Sequence, residues 1–136
     1  MMSPKEIGVR WFQEVWNERK LSAIHELLAE GARGHLEGGQ EIVGPEQFTA
    51  FQIALVEALP DIKVRVLNSL SDGDDACILW LATATHTGHG MEMAPTGKTV
   101  SFRGMTWFHV ENGKITEGWD SWNLGGLMHA MSCPAG

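Results

Sequence analysis

The hydrophobic pattern of this chain changes its period once, at Pro60. Before Pro60, apolar residues recur every three or four positions, which is the spacing of a buried helix face. After it they alternate every second position, which is the spacing of half-buried strands. Helices that come first, followed by long strands joined by short turns, predict an α+β domain with the helices on one face of a mostly antiparallel sheet. The 136 residues are expected to form one domain, 1–136, because no linker or repeat interrupts them.

Three helices are predicted in the first sixty residues. The first spans 3–17, where the apolar side chains fall on one stripe. The second begins with Ser22 as its N-cap and ends near Gly31, and the third spans 44–59 with a proline near its first position. Between the second and third helices, the glycine-rich segment 32–39 predicts a brief edge strand.

The remainder of the chain predicts a meander of strands. These strands are expected at 62–67, 76–88, 99–110 and 114–123, with a last helical turn at 124–131. The strand at 76–88 is apolar on both faces at its start, and we therefore expect it in the middle of the sheet.

Charge and composition narrow the classes of partner. The net charge is −7 and the ten Lys and Arg residues are scattered, so nucleic acid is not expected to bind. No apolar run approaches the roughly 18–20 residues that cross a bilayer, so we expect no membrane association and a cytoplasmic location. Cys77 and Cys133 are expected to be reduced thiols. Six Trp and no Tyr indicate either a heavy core or a cavity for a small apolar or aromatic molecule.

Two registers are possible for the hairpin around Asn112-Gly113. A two-residue type I′ loop pairs Glu111 with Lys114, whereas a three-residue loop with its glycine in the left-handed conformation pairs Val110 with Lys114. We favour the three-residue loop, because it collects a coherent polar and aromatic surface on one face of the hairpin.

That surface holds the candidate catalytic residues and several candidate binding residues: Arg103, Met105, Trp107, His109, Glu117, Trp119 and Asn123. An unpaired buried charge costs several kcal/mol, so this surface is too polar for a dry core. It is predicted to face a cavity between the sheet and the helices. Asp120 falls on the opposite face, where a surface or dimer contact is the favoured role, and it would move inward only if a bulge intervened.

Further residues are candidates for the cavity wall. Those predicted to line or floor it are Trp11, Phe12, Trp16, Trp80, Leu81 and Met93, although a plain core would have the same pattern. His35 either borders the pocket or is an exposed loop residue, and His86 is either a pocket residue or structural. His86 and His89 point to opposite faces of an extended chain and lack a third ligand, so no metal site is predicted. Nucleotide and redox motifs are absent from the sequence, and no cofactor is expected.

A series of short motifs resembles a known family. In order along the chain they are GPEQF, LPDIKVRV, SDGDDAC, THTG, PTGKTVSFRG, ENGKITEGWDSWN and GGLM. Together they resemble the SnoaL-like polyketide cyclases, or ester cyclases, of the nuclear-transport-factor-two-like superfamily. The resemblance implies a cone-shaped roll of three helices on a strongly curved sheet, with a pocket at its open end and a homodimer.

The resemblance also implies a reaction and its residues. Such cyclases close the last ring of an aromatic polyketide by an intramolecular aldol condensation without cofactor or metal. Their histidine corresponds to His109, and their E-x-W motif to Glu117 and Trp119. Their basic aspartate corresponds to Asn123, whose carboxamide cannot act as a general base but can donate a hydrogen bond to an oxyanion.

Two hypotheses about function follow. In the first, the protein is an enzyme with His109 as acid or base, Asn123 as oxyanion donor, and Arg103 and Glu117 as orienting residues. Glu117 is favoured as the ion-pair partner of Arg103, and Asn123 as a helix cap is an equal alternative to the oxyanion role. In the second, the same pocket binds a small apolar molecule without chemistry, because the aspartate of the family is replaced.

Overall fold

The computed structural model describes residues 2–89 and 94–132 and has the predicted α+β architecture. In chain order its elements are helix α1 (Pro4–Arg10), a π-helical segment (Trp11–Asn17), α2 (Leu21–Leu27), β1 (Leu28–His35), β2 (Glu41–Val43), α3 (Gly44–Ala58), β3 (Lys63–Asp72), β4 (Asp75–Thr85), β5 (Thr99–Glu111), β6 (Lys114–Trp122) and α4 (Leu124–Ser132). The order of helices first and long strands afterwards agrees with the change of hydrophobic period at Pro60.

The strands form one curved, unclosed sheet in the order β2-β1-β6-β5-β4-β3. The long strands β3 to β6 follow one another as an antiparallel meander, while β1 pairs with β6 in parallel. The prediction of a mostly antiparallel sheet is therefore confirmed. The segment predicted as an edge strand is instead an interior strand, because β2 covers its outer edge.

The core lies between the helices and the inner face of this sheet. Ile7 and Val15 of the first helical region are fully buried against it. Gly8 lets this region approach β4 closely, since a Cβ at this position would lie 2.8 Å from the Ile78 side chain. The side chain of Ser3 accepts a hydrogen bond from the Glu6 amide and caps the helix, as its position before the apolar stripe suggests.

Helix α2 differs from its predicted boundaries. It begins at Leu21 without a side-chain cap and ends at Leu27, since Leu28 already has the extended conformation of β1. The predicted stop at Gly31 is wrong, because pairing with β6 and β2 extends this segment into the sheet.

The β5–β6 hairpin has a two-residue turn, and the predicted three-residue loop is wrong. Asn112 and Gly113 have φ values of 53° and 77°, and Glu111 pairs with Lys114, as in a type I′ turn. The extra residue lies instead in a β-bulge, after which His109 faces Glu117. The bulge shifts the register by one residue in the opposite direction from the longer loop, so Trp107 faces Trp119. Because either shift is by a single residue, β5 and β6 keep the predicted division of side chains between their two faces.

Within the described part of the chain, no helix combines the length and the apolar character that crossing a bilayer requires.

Candidate functional site

A cavity of about 90 Å³ opens between the helices and the inner face of the sheet. It continues outward into a cleft of about 600 Å³, and six residues line both: Leu36, Ile42, Phe51, Leu55, Asp120 and Trp122. Together the two spaces suit a small organic ligand that is mostly enclosed and reaches solvent at one end. The predicted cavity between sheet and helices is therefore present.

Aromatic rings form most of the inner wall. Those lining it are Trp11, Phe12, Trp16, Phe48, Phe51, Trp80, Phe102, Phe108 and Trp122. Many of them pack edge to face, for example Trp11 on Phe48 with ring centroids 4.6 Å apart. The predicted wall residues Phe12, Trp16 and Trp80 lie where they were expected.

A carboxylate lies in this aromatic wall. Asp120 follows Gly118 on the inner face of β6, and its side chain reaches the junction of cavity and cleft. The Thr106 hydroxyl donates to Asp120 Oδ1 at 2.7 Å, and the Trp80 indole N–H donates to that hydroxyl at 3.0 Å. This chain of hydrogen bonds holds Oδ1 of Asp120 against Thr106, the residue that pairs with Asp120 on the neighbouring strand.

Burial raises the pKa of Asp120 to about 6. Desolvation of the carboxylate is the largest cause, the Thr106 hydrogen bond lowers the pKa, and the negative charge of Glu37 raises it further. A carboxyl group with this pKa is ionised near neutral pH but remains basic enough to accept a proton from a carbon acid.

The cleft is acidic and amide-rich at its mouth. Glu37 and Gln40 come from the turn between β1 and β2, Glu41 is the first residue of β2, and Gln47 comes from α3. Among the described residues, no three His, Cys, Asp or Glu side chains converge as the ligands of a metal ion would.

The predicted catalytic face points away from the cavity. Arg103, Met105, Trp107, His109, Glu117 and Trp119 share one face of the hairpin, as expected, but it is the outer face of the sheet, and Leu81 lies on the same face of β4. Met105, Trp107 and Trp119 are 51%, 48% and 40% exposed. The side chains on the opposite face of these strands are more apolar, so burying that face against the helices removes more apolar surface from contact with water.

His109 belongs to a pair on this outer face. Its Nδ1 lies 2.5 Å from Asp75 Oδ1, and the indole of Trp107 donates to the same carboxylate. The hydrogen bond to Asp75 raises the pKa of His109, and the same bond lowers the pKa of Asp75. His109 is therefore held by a partner on β4 and does not reach the cavity.

Glu117 pairs with His35, so the predicted ion pair with Arg103 is wrong. His35 Nε2 lies 2.7 Å from Glu117 Oε2, and the imidazole stacks on Trp119 with ring centroids 5.4 Å apart. The pairing of β1 with β6 brings these residues together. His35 thus borders neither the cavity nor the cleft.

Asn123 caps the last helix. Its Oδ1 accepts a hydrogen bond from the Gly126 amide at 2.8 Å, which is the capping alternative considered from the sequence. Asn123 does not line the cavity, so the expected oxyanion role does not fit its position.

The remaining candidates lie elsewhere. His86 is fully buried, and its Nδ1 lies 3.0 Å from the Thr96 hydroxyl, so it holds the chain after β4 rather than lining the cavity. Met93 and Cys133 lie outside the described residues. Cys77 is a free thiol.

Thr106, Asp120 and Trp122 line the cavity, and none of them was predicted there from the sequence. The available signal was a Thr and an Asp on an otherwise apolar face of β5 and β6, since a polar residue at such a position needs a partner or a ligand.

Comparison with known proteins places the chain in a family. The model of the SnoaL-like polyketide cyclases matches residues 6–131. No curated protein matches the sequence significantly.

Several solved structures share the fold. A protein described as a SnoaL-like polyketide cyclase from Jannaschia sp. CCS1 is 27% identical, with a TM-score of 0.89 over 99% of each chain. A protein described as a polyketide cyclase from Acidithiobacillus ferrooxidans is 25% identical, with a TM-score of 0.80 over 96% of this chain and 94% of its own. IdmH from Streptomyces antibioticus, also described as a polyketide cyclase, is 21% identical, with a TM-score of 0.83 over 97% of this chain and 100% of its own. With its α+β roll, its sheet-helix cavity and a family model that matches nearly its whole length, the chain belongs to the SnoaL-like polyketide cyclase family.

Proposed function

We propose that the protein is a cofactor-independent enzyme that moves a proton to and from carbon in an apolar carbonyl substrate, with Asp120 as the general base. Membership of the cyclase family supports a cyclase- or isomerase-type activity. The observation that carries the proposal is the carboxylate of Asp120 in an aromatic cavity, with a pKa raised to about 6. In this proposal Asp120 is the catalytic residue, in place of His109 and Asn123, which were expected to be catalytic from the sequence.

The hydrogen bonds around Asp120 suit a base. The Thr106 hydroxyl donates a hydrogen bond to Oδ1 of Asp120, and the structure records no hydrogen bond to Oδ2 within the described residues. The Trp80 indole in turn holds the Thr106 hydroxyl, which keeps the carboxylate in one orientation. A base that is held in place before the substrate binds does not have to reorganise during proton transfer.

We propose aldol cyclisation as the reaction, because the chain belongs to a family of polyketide cyclases. Asp120 would take a proton from the carbon next to one carbonyl and leave an enolate. The enolate carbon would attack a second carbonyl of the same molecule and form a C–C bond. The resulting alkoxide would then receive the proton, so that no other reactant is needed.

The enolate oxygen requires a hydrogen-bond donor. Within the described residues, the structure records no hydrogen bond for the indole N–H of Trp122, which lies two residues after Asp120 on the same face of β6. Trp122 is therefore our candidate for the oxyanion donor. Its place in both cavity and cleft would put it beside a substrate that extends from one into the other.

A general-base reaction tests the proposal without knowledge of the natural substrate. In 5-nitrobenzisoxazole, loss of the C3 proton to a carboxylate breaks the N–O bond and gives 2-cyano-4-nitrophenolate, which absorbs visible light. We expect saturable turnover by the unmodified protein, and a loss of about 100-fold or more in the Asp120→Asn variant.

The matched control is Asp75→Asn, which makes the same chemical change on the outer face of the sheet. It should leave the rate within about twofold, since Asp75 contacts His109 and Trp107 and not the cavity. An Asp120→Asn variant that binds the probe and keeps full turnover would reject the base assignment. An unmodified protein that binds the probe but gives no turnover would favour a non-catalytic binding protein.

A further inference from the structure

We propose that Gly118 determines how wide a substrate the cavity accepts, because its missing side chain lets a ring of the substrate lie against the backbone of β6 beside Asp120. This inference rests on the proposed function only in taking the cavity as the substrate site. It goes further by assigning a residue to substrate specificity and a shape to the part of the substrate next to the base.

Among the described residues, three glycines line the cavity, and two of them have a structural reason to be glycine. Gly44 has a φ of 81°, in the region that residues with a Cβ rarely adopt. At Gly34, a Cβ would lie 3.1 Å from the Ile42 side chain, so close packing leaves little room for one. Backbone conformation and packing therefore account for these two glycines.

Gly118 has neither reason. Its φ is not positive, and a Cβ there would lie at an ordinary 3.6 Å from its nearest neighbours, the Phe108 ring and the Trp107 carbonyl oxygen. It pairs with Phe108 on one side and with Gly34 on the other. The extra residue of the nearby bulge is Thr116, so the bulge does not require this glycine either.

A glycine inside a strand makes the strand less stable, because it orders a flexible backbone and has no side chain to pack. Where neither a turn, a bulge nor a close neighbour explains it, the remaining reason is the approach of a ligand to the backbone. Gly118 lines the cavity and is only half-buried, so a ligand can reach this backbone.

The open position lies beside the proposed base. Gly118 and Asp120 are both on the inner face of β6, and two residues of a strand span roughly 7 Å. A six-membered ring that rests on the backbone at Gly118 would therefore bring its edge, with the C–H bond to be broken, next to the Asp120 carboxylate. Phe108, the partner of Gly118 on β5, would bound the ring on one side.

Two probes of different width test this assignment. Phenol has one ring and naphthalen-2-ol has two fused rings, and binding is followed by NMR titration of the ring protons of each probe. We expect the unmodified protein to bind naphthalen-2-ol more tightly, because more apolar surface is removed from water. Gly118→Ala should weaken naphthalen-2-ol binding about tenfold and Gly118→Val should weaken it further, while phenol binding changes by about twofold or less.

Gly31→Val is the matched control. Gly31 also lies in a strand of the sheet, but a Cβ there would meet nothing within 4 Å, and the residue does not line the cavity. This variant should leave the affinity for both probes unchanged. An equal loss of affinity for phenol and naphthalen-2-ol in Gly118→Ala, no loss for naphthalen-2-ol, or no binding of naphthalen-2-ol to the unmodified protein overturns the proposal.

The outcome is independent of the test of catalysis. If Asp120→Asn abolishes proton transfer while Gly118→Ala binds both probes as the unmodified protein does, the base assignment stands and the specificity proposal fails. If Gly118→Ala loses affinity for naphthalen-2-ol alone and Asp120→Asn leaves turnover intact, the specificity proposal stands and the base assignment fails.

Discussion

Asp120 is the residue on which the account of the site depends. Its carboxyl group is desolvated by the aromatic wall, and the Thr106 hydrogen bond offsets part of that cost. The sequence correctly put this residue on the face opposite His109, but it could not show which of the two faces meets the helices, because that depends on tertiary packing. A surface or dimer-contact role was predicted and is wrong.

The raised pKa of Asp120 makes a prediction about stability. Above pH 6 the folded protein holds an ionised, half-buried carboxylate in an apolar wall, whereas below about pH 4 the group is protonated in both folded and unfolded states. Asp120→Asn should therefore raise the free energy of unfolding by about 2 kcal/mol at pH 8, and the gain should disappear at pH 4. Urea unfolding at the two pH values measures the difference.

Asp75→Asn is again the control, and its effect should have the opposite sign. His109 holds the pKa of Asp75 low, so the pair stabilises the fold at neutral pH and the variant should be less stable there. A stability gain for Asp120→Asn that does not depend on pH would contradict the assigned pKa shift.

Thr106 should control the basicity of Asp120. Its hydroxyl lowers the pKa of the carboxyl group by donating a hydrogen bond to the ionised form. Thr106→Val keeps the shape but removes the donor, so the midpoint of the pH–rate profile should move above about 6. Thr116→Val removes a hydroxyl that donates to the backbone oxygen of His109 on the same hairpin, and it should leave the midpoint unchanged. A lower midpoint in Thr106→Val would refute this account of the site.

At the scale of elements, the β5–β6 hairpin shows what sequence patterns could and could not predict. The alternation of side chains on long strands is strong, so the grouping of His109 with Trp107, Glu117 and Trp119 was predicted correctly. Whether this group or the side chains on the opposite face lie against the helices depends on tertiary packing. The alternation of side chains along a strand carries no information about that packing. The same holds for β1, whose glycine-rich sequence suggested an edge but whose neighbours enclose it.

Gly104 is a point of close packing between β5, β4 and β6. A Cβ there would lie 2.6 Å from both Trp122 Cβ and Trp80 Cζ2. Gly104→Ala should cost about 2 kcal/mol of stability and weaken binding of cavity ligands, because both rings belong to the cavity wall. Denaturant unfolding and ligand titration measure the two effects.

Gly118→Ala is the matched substitution on the neighbouring strand. Its new methyl group would lie at an ordinary 3.6 Å from the Phe108 ring, so we expect a change within about 0.5 kcal/mol. Equal costs at the two positions would mean that the close approach at Gly104 does not limit the packing of the wall.

At the scale of the whole molecule, the outer face of the sheet is suited to a second copy of the chain. Along β5 this face carries Arg103 at one end, the apolar Met105 and Trp107 in the middle, and at the other end His109 and Glu111, with 3.8 Å between His109 Nε2 and Glu111 Oε1. A two-fold axis near Trp107 would place each arginine against the glutamate of the other copy. We therefore propose that the expected homodimer forms through this face.

A charge swap tests the dimer. Arg103→Glu should weaken self-association about tenfold, and the double variant Arg103→Glu with Glu111→Arg should restore it, because the pair is reversed on both copies. Sedimentation equilibrium measures the association constant. A monomeric unmodified protein, or a double variant no better than the single one, would exclude this arrangement.

The central claim is that the chemistry lies on the inner face of the sheet, at Asp120, and not on the outer face at His109. The most direct measurement is the pH dependence of 5-nitrobenzisoxazole turnover in the unmodified protein, Asp120→Asn and His109→Ala. We expect the rate to rise with pH to a plateau, with a midpoint of about 6, in the unmodified protein and in His109→Ala, and not to rise in Asp120→Asn. A rise of the rate with pH that persists in Asp120→Asn and is lost in His109→Ala would contradict the assignment of Asp120 as the base.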